Sequence, residues 1–379
     1  MHKVHLTYEL GGDRSPAATR DLHHPLMALL AAVHESGSIS AAARQLGLSY
    51  RHVWGELKRW EGELGQTLVV WVKGQPALLS PFGEKLLWAE RRAQARLAPQ
   101  IEALRSELER AFAIAFDASA GVITMSASHD EALPRLREFA QSTQRLHLDV
   151  QFTGSVDALA ALNAGRCLLA GFHALTASPQ RSPTARVYRP LLRPGQHKLI
   201  GFAQRTQGLI VAPGNPRGLL DLAGLFQPGV RLANRARGTG TRVVLDELLD
   251  TQGLDGARIA GFDANEPSHR SAAEAVASGS ADAAFGIEAA ARSRGLDFVP
   301  LAREQYFLVA LRASLEHPHV RALLELLKSE AWRAQLRAIP GYDAARSGEV
   351  LSLREVLPWW TWRTPKARDS GSDKKARPS

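Results

Sequence analysis

The chain has 379 residues, 45% of them hydrophobic, with 47 Lys and Arg against 38 Asp and Glu for a formal net charge of +9. That length supports two or three domains with a sizeable core. No run is apolar enough for a membrane-spanning helix, none reads as a signal peptide, and the single cysteine, Cys167, excludes an internal disulfide. A cytoplasmic location without a membrane partner is expected. The charge excess is +2 over residues 1–111, +3 over 112–362 and +4 over the last 17 residues. A nucleic-acid interface therefore has to be sought in local pattern, not in bulk charge.

Residues 1–20 read as an extension that either adds an edge strand at Val4–Tyr8 or stays unstructured. His23 and His24 have no third ligand at useful spacing, so they are read as a solvated pair, and no metal site is expected. A first helix is expected from Pro25 to Glu35. From Ser38 to Glu61 the chain reads as two helices and a turn. Ser38 or Ser40 can cap the first, Gly47 stands where a C-cap glycine belongs, and Ser49 can cap the second. The second buries Val53 and Leu57 at helical spacing, with Trp60 or Leu64 continuing the stripe. Its other face carries Ser49, Tyr50, Arg51, His52, Lys58 and Arg59, the polar and cationic set that a major-groove reader needs.

Leu68–Val72 then reads as a strand, Lys73-Gly74-Gln75-Pro76 as a turn and Ala77–Leu79 as a return strand. Together they form a wing with Lys73 at its tip. Ser80-Pro81 opens the next helix. Gly37-Ser38-Ile39-Ser40, Ala42-Ala43, Leu46, Ser49-Tyr50, Val53-Trp54, Gly65, Leu68-Val69 and Leu79-Ser80-Pro81-Phe82-Gly83 follow one another in order. On these residues the segment 25–90 resembles the winged helix-turn-helix of the LysR family, with the DNA-binding domain read over 21–82, and its reading helix is similar to the ModE-like branch. The resemblance implies a double-stranded DNA operator as partner.

From Gly83 to about Phe112 a long helix is expected, kinked at Pro99. Leu86, Ala93, Leu97, Ile101, Leu104 and Leu108 form a narrow apolar seam along it. Directly behind a wing, such a seam suits dimerisation, because paired reading helices must sit one DNA turn apart. A homodimer or dimer of dimers is expected.

Residues 113–360 alternate strands and helices, the mark of an α/β class with parallel strands. Strands are read at Gly121–Ser126, Leu146–Phe152 and Cys167–His173, and a lone buried cysteine such as Cys167 is read as a small apolar residue. Ser126, Ser128, His129, Ser155 and His173 fall at or near strand ends, where such sheets bind ligands. His197–Ala212 reads as a crossing into a second lobe. There Asn234-Arg235 and Gly238-Thr239-Gly240-Thr241-Arg242 lead into a helix whose N-terminal amides favour anions. The loop is neither a phosphate-binding Walker loop nor a dinucleotide fingerprint, which removes those nucleotide functions. Glu304–Val309 reads as the strand returning to the first lobe, and one helix from Pro318 to Leu336 closes it.

Ser128-His129-Asp130, Ala170-Gly171-Phe172-His173, Asn234-Arg235, Gly238–Arg242, Ser268-His269, Gly279 with Ala281-Asp282, and Gly286-Ile287 give this block a second resemblance. It is similar to the two-lobed type II periplasmic-binding (PBP-like) domains related to molybdate-binding proteins. The resemblance implies a small anionic effector such as molybdate or tungstate, held by Ser126, Ser128, His129, Ser155, His173, Asn234, Arg235, Thr239, Gly240, Thr241, Arg242 and His269. Those histidines and arginines leave room for a molybdenum-cofactor-like anion or a carboxylate such as formate. The whole chain then reads as a transcription regulator without catalytic residues and without a resident cofactor. An enzyme handling a molybdenum cofactor and an oxyanion store are the alternatives of another class. Residues 83–112 join the two domains, and 361–379 form a basic tail expected to be disordered after Trp359 and Trp360 pack on the domain.

Overall fold

The computed structural model describes residues 24–71, 75–116, 121–175, 178 and 181–357. The edge strand expected at Val4–Tyr8, Lys73 at the wing tip, Trp359, Trp360 and the basic tail lie outside these residues.

Three helices open the fold: α1 (Pro25–Ser36), α2 (Ile39–Gln45) and α3 (Tyr50–Leu64). Ser38 caps α2 by accepting from the Ala41 amide, and Ser49 caps α3 by accepting from the His52 amide. Each cap satisfies one of the first-turn donors that a helix leaves free. Leu29, Leu30, Val33, Ile39, Ala42, Val53 and Leu57 form the core between them, and Trp60 and Leu64 are partly buried against it. The wing is shorter than expected: β1 (Val69–Val70) pairs antiparallel with β2 (Leu78–Leu79). Leu68 is buried in the core, and Glu61 of α3 accepts from the amides of both Leu68 and Val69. The start of the wing is thus tied to the reading helix before any ladder forms.

Helix α4 (Pro81–Phe116) has 36 residues and continues through Pro99. At 1.5 Å per residue it is about 54 Å long. The expected seam divides along it. Leu86 packs into the core of the first domain, Ile101 and Leu108 are half-buried, and Ala93, Leu97 and Leu104 are exposed. On the other face Ala95, Pro99, Glu102 and Ser106 are buried. Leu86 therefore belongs to the first domain and not to a free seam.

The second domain is built from β3 (Gly121–Ala127), α5 (Ala132–Gln144), β4 (Leu146–Phe152), α6 (Ser155–Asn163), β5 (Leu169–Leu175), α7 (Pro183–Tyr188) and β6 (His197–Val211). It continues with β7 (Leu232–Ala233), α8 (Gly240–Thr251), α9 (His269–Ala277), β8 (Ala283–Ile287), α10 (Glu288–Arg292) and β9 (Asp297–Leu311). It closes with α11 (Pro318–Lys328), α12 (Glu330–Arg337), β10 (Tyr342–Asp343), β11 (Val350–Leu351) and α13 (Leu353–Val356). All nine strands share one sheet in the order β4-β3-β5-β9-β6-β8-β7, with β10 and β11 added to β6. β3 is parallel to β4 and β5, but β6 and β9, 15 residues each, run antiparallel to each other through both lobes. The sheet is therefore mixed, and these two strands are the crossings between lobes.

The single helix expected over Pro318–Leu336 is two. Ser329 breaks it with an extended backbone, ψ 142°, and caps α12 by accepting from the Trp332 amide. Trp332 is thereby turned into the main core, where it stacks near Phe139 and Phe202.

Helix α4 touches both lobes. Toward the first, Ser106 Oγ accepts from the Val150 amide at 3.2 Å, and buried Arg137 of α5 pairs with Glu102 at 2.6 Å. Toward the second, Ser268 Oγ donates to the Ala95 carbonyl at 3.1 Å, and Arg96 lies 3.8 Å from Glu266.

Candidate functional site

Two regions place chemistry-bearing side chains together. The first is the surface of α3, where Ser49, Tyr50, Arg51, His52, Lys58 and Arg59 are all exposed. Tyr50 stacks parallel to Trp54 with ring centroids 6.4 Å apart, which fixes the start of the helix face. The cations differ in their commitments. Lys58 pairs with Glu61 at 2.7 Å and lies over Trp54, while Arg59 is held between Glu56 and Glu63 at 2.7 and 2.6 Å. Arg51 has no carboxylate within pairing distance among the described residues.

The second region lies between the lobes. The N-termini of α6, α8 and α9 bring Ser155, Gly240-Thr241 and His269 together. A helix start leaves amides without intrahelical acceptors and carries partial positive charge, so three starts favour an anion. Ser128 and Ser155 share a hydrogen bond at 3.2 Å, and Ser155 Oγ meets His173 Nδ1 at 3.3 Å. From the other lobe, Thr241 Oγ1 meets His269 Nε2 at 3.2 Å and accepts from Gln207 Nε2 at 3.2 Å. Tyr306 of β9 packs on His173 with ring centroids 4.0 Å apart.

The lobes are closed on each other. A Cβ at Gly240 would stand 2.5 Å from His173 Nδ1, and one at Gly154 would stand 2.9 Å from the Gly238 carbonyl. The Val156 amide donates to that same carbonyl at 3.3 Å, and the Thr184 amide of α7 donates to Glu247 of α8. Only glycine permits the two backbones to approach this closely.

Two buried arginines face this site in opposite states. Arg205 of β6 is paired with both Asp130 and Glu304, and Tyr342 Oη also donates to Asp130 at 2.6 Å. Burial opposes its charge, but the two carboxylates outweigh burial and hold the Arg205 pKa raised. Burial in turn pushes the Glu304 carboxyl up. Arg235 instead donates from Nε to the Glu266 carbonyl at 3.1 Å and from Nη2 to the Pro267 carbonyl at 3.0 Å, and its buried Nη1 has no partner. Burial and then the Arg205 charge lower it to about 9. Around it His129 Nδ1, His173 Nε2, His269 Nδ1 and Tyr306 Oη are also buried without partners. Burial lowers all three histidines, to about 3 for His129, and Arg235 adds to the effect in each. The imidazoles are therefore neutral and can each give or take a hydrogen bond.

Some candidates lie elsewhere. The Arg242 guanidinium is engaged by Asp246 at 2.9 Å and the Phe262 carbonyl at 3.0 Å, within its own lobe. Asn234 holds the loop by bonding the Phe262 carbonyl and the Arg235 amide. Thr239 caps α8, and Ser126 is bonded with Cys167. Gln207, Tyr306 and the Arg205–Asp130–Glu304 group carry the site and escape sequence reasoning. Arg205 and Glu304 stand among other polar residues of their strands, Gln204, Thr206 and Gln207 on one and Arg303 and Gln305 on the other, so nothing local marks them. Among the described residues no group of three ligands suited to a metal is found, and no single helix is long and apolar enough to cross a membrane.

A family model described as the PBP superfamily domain matches residues 136–328, and one described as the bacterial regulatory helix-turn-helix protein, lysR family, matches residues 25–84. The chain is a LysR-type helix-turn-helix joined to a PBP-like domain. The chain is 33% identical over 201 residues to the uncharacterized protein YvgK of Bacillus subtilis (strain 168), covering 53% of itself and 64% of that protein. It is 37% identical over 86 residues to the molybdenum-pterin-binding protein MopB of Rhodobacter capsulatus, 22% of this chain and 32% of MopB. Among solved structures it resembles a hydrogen-peroxide-bound OxyR mutant of Corynebacterium glutamicum at 17% identity and TM-score 0.41, covering 84% of this chain and 94% of that one.

Proposed function

We propose that this LysR-type protein is a DNA-binding transcription regulator whose PBP-like domain takes a small anion between its lobes and changes operator affinity in response. The observation that carries the reading is Arg235, a buried guanidinium whose Nη1 has no partner. An unpaired charge in a water-poor site costs several kcal/mol, and an anionic ligand removes that cost. Tetrahedral oxyanions such as molybdate and tungstate fit the ring of hydroxyls, imidazoles and helix amides, while the name of MopB speaks for a molybdenum-pterin. A molybdenum-cofactor-like anion and formate are the other candidates. Ser155 and His173 meet at 3.3 Å, but His173 Nε2 has no carboxylate to orient it, so the pair lacks the third member of a nucleophilic triad.

The operator is read by α3 with Arg51 as its free cation, and a homodimer or dimer of dimers places two such helices on the duplex. The exposed residues Ala93, Leu97 and Leu104 supply the dimer seam. Helix α4 is the route between the functions. It is fastened to one lobe at Glu102 and Ser106 and to the other at Ala95 and Arg96, so a change in lobe angle has to move it. The ligand acts only through its different affinity for the two arrangements. The test is selection of genomic fragments on the purified protein, then anisotropy titration of the winning sequence with and without molybdate, tungstate and formate. A specific site whose affinity shifts with one anion is expected. Operator affinity unmoved by an anion that raises the Tm would remove the coupling.

A further inference from the structure

The interlobe site has a definite charge capacity, and it bears on which anions can enter. Besides the three imidazoles and Tyr306, two arginines and two carboxyl side chains line or underlie it: Arg205, Arg235, Asp130 and Glu304. The Arg205 charge is already answered by two carboxylates. Arg235 alone donates to nothing but backbone carbonyls, with its Nη1 left without a partner. Farther out, Arg242 is answered by Asp246, and Glu266 lies beside Arg96. Arg270 of α9 adds its charge to that of Arg235 at His129 and is itself engaged. The remaining groups that point inward, Ser128, Ser155, Thr241, Gln207, Tyr306 and the three imidazoles, are neutral.

We propose that the interlobe site is built for a singly charged anion, and that it accepts a dianion only together with one proton. The proposal rests on the reading of this site as an anion site. One negative charge is matched by Arg235. A second would lie in a closed site beside the carboxylates of Asp130 and Glu304, with no further uncommitted cation among the described residues lining it. The cheapest remedy is a proton, carried either on the ligand or on one of the unpartnered nitrogens of His129, His173 and His269. The groups facing these rings are Arg235 and Arg270 for His129, Arg205, Arg235 and Tyr306 for His173, and Arg235, Arg205 and the other two rings for His269. Cations dominate that list, so the rings stay neutral until an extra negative charge arrives. The proton then balances the step: one dianion and one H⁺ bind together, and the site gains one net negative charge, as it does with a monoanion alone.

Perrhenate and molybdate have the same tetrahedral shape and differ by one charge, so they form the test pair. Calorimetric titrations of the full-length protein with each, in two non-anionic buffers of different ionisation enthalpy, read both affinity and proton uptake. Perrhenate is expected to bind with almost no proton exchanged and an affinity nearly flat between pH 7 and 8, where Arg235 stays charged. Molybdate is expected to take up about one proton, and its affinity to fall about tenfold for each pH unit raised. Molybdate binding at least as tightly as perrhenate at pH 8 with no proton uptake would overturn the charge inference, and loss of that binding in Arg235→Met would still place the anion at this site. Binding of neither ion, or undiminished binding of both in Arg235→Met and in Arg235→Lys, would overturn the site itself.

Discussion

The surface of α3 and the cleft between the lobes both display arginines, and they solve opposite problems. On α3 the cations stand in water, where pairing is weak and reversible. Arg59 and Lys58 are tied along the helix and Arg51 is free, yet none of the three is stabilised or endangered much by its choice. Between the lobes water is excluded, and the same choice becomes expensive. There Arg205 is held by two carboxylates and anchors the sheet, while Arg235 is left short of one partner. The difference teaches that an exposed cation can stay unpaired at little cost, whereas a buried one creates a demand for a partner.

The comparison breaks first if Arg205 is not structural. Arg205→Met leaves Asp130 and Glu304 buried without their cation and is expected to cost about 3–5 kcal/mol in urea unfolding. Wild-type stability would mean that the two carboxylates are neutral together. Arg235→Met should do the reverse, leaving unfolding unchanged or slightly more costly while abolishing ligand stabilisation. For an anion at a hundred times its Kd that stabilisation is about 2.7 kcal/mol. A retained shift in Tm would move the ligand elsewhere.

On the wet side, Arg51→Ala is expected to lose about 1–3 kcal/mol of discrimination between the operator and a variant at one guanine, with unfolding unaltered. Equal loss on all sequences would make Arg51 a phosphate contact. Acid sharpens the contrast further. His129, His173 and His269 have folded pKa values below the unfolded value, so the unfolded chain binds more protons as pH falls below about 6.5. Stability contributed by their neutral forms is complete above that pH. It is lost as the pH falls below about 6.5, at about 1.4 kcal/mol per pH unit for each ring that stays neutral. A flat profile between pH 6.5 and 5 would mean that the rings are solvated. The smallest effect belongs to Lys58→Ala and Arg59→Ala, whose charges are already met along α3. Neither should alter base discrimination, and a loss matching that of Arg51→Ala would show that these ion pairs open on DNA.

The first domain is largely legible in the sequence because its instructions are local. Ser38, Gly47, Ser49 and Pro81 act on backbone within four residues of themselves, and the core of α3 follows one period. The wing is less legible, since Glu61 captures the amides of Leu68 and Val69 from another element. In the cleft, Arg235 and Thr241 announce themselves in a glycine-rich turn, but Arg205 and Glu304 meet across 99 positions on buried strands where alternation carries no signal. Arg242 and Arg235 look alike in the loop. Only the Asp246 four residues after Arg242 hints that it is spoken for, and that i,i+4 spacing was there to be read.

The closeness of Gly240 to His173, and of Gly154 to Gly238, bears finally on time. For an anion held behind such contacts, as proposed above, arrival and departure would wait for the lobes to part. The observed association rate should therefore climb with anion concentration only until it meets the rate of opening, and then level off. Departure passes the same gate, so the bound lifetime cannot be shorter than the closed interval, and contacts that the anion makes to both lobes lengthen it.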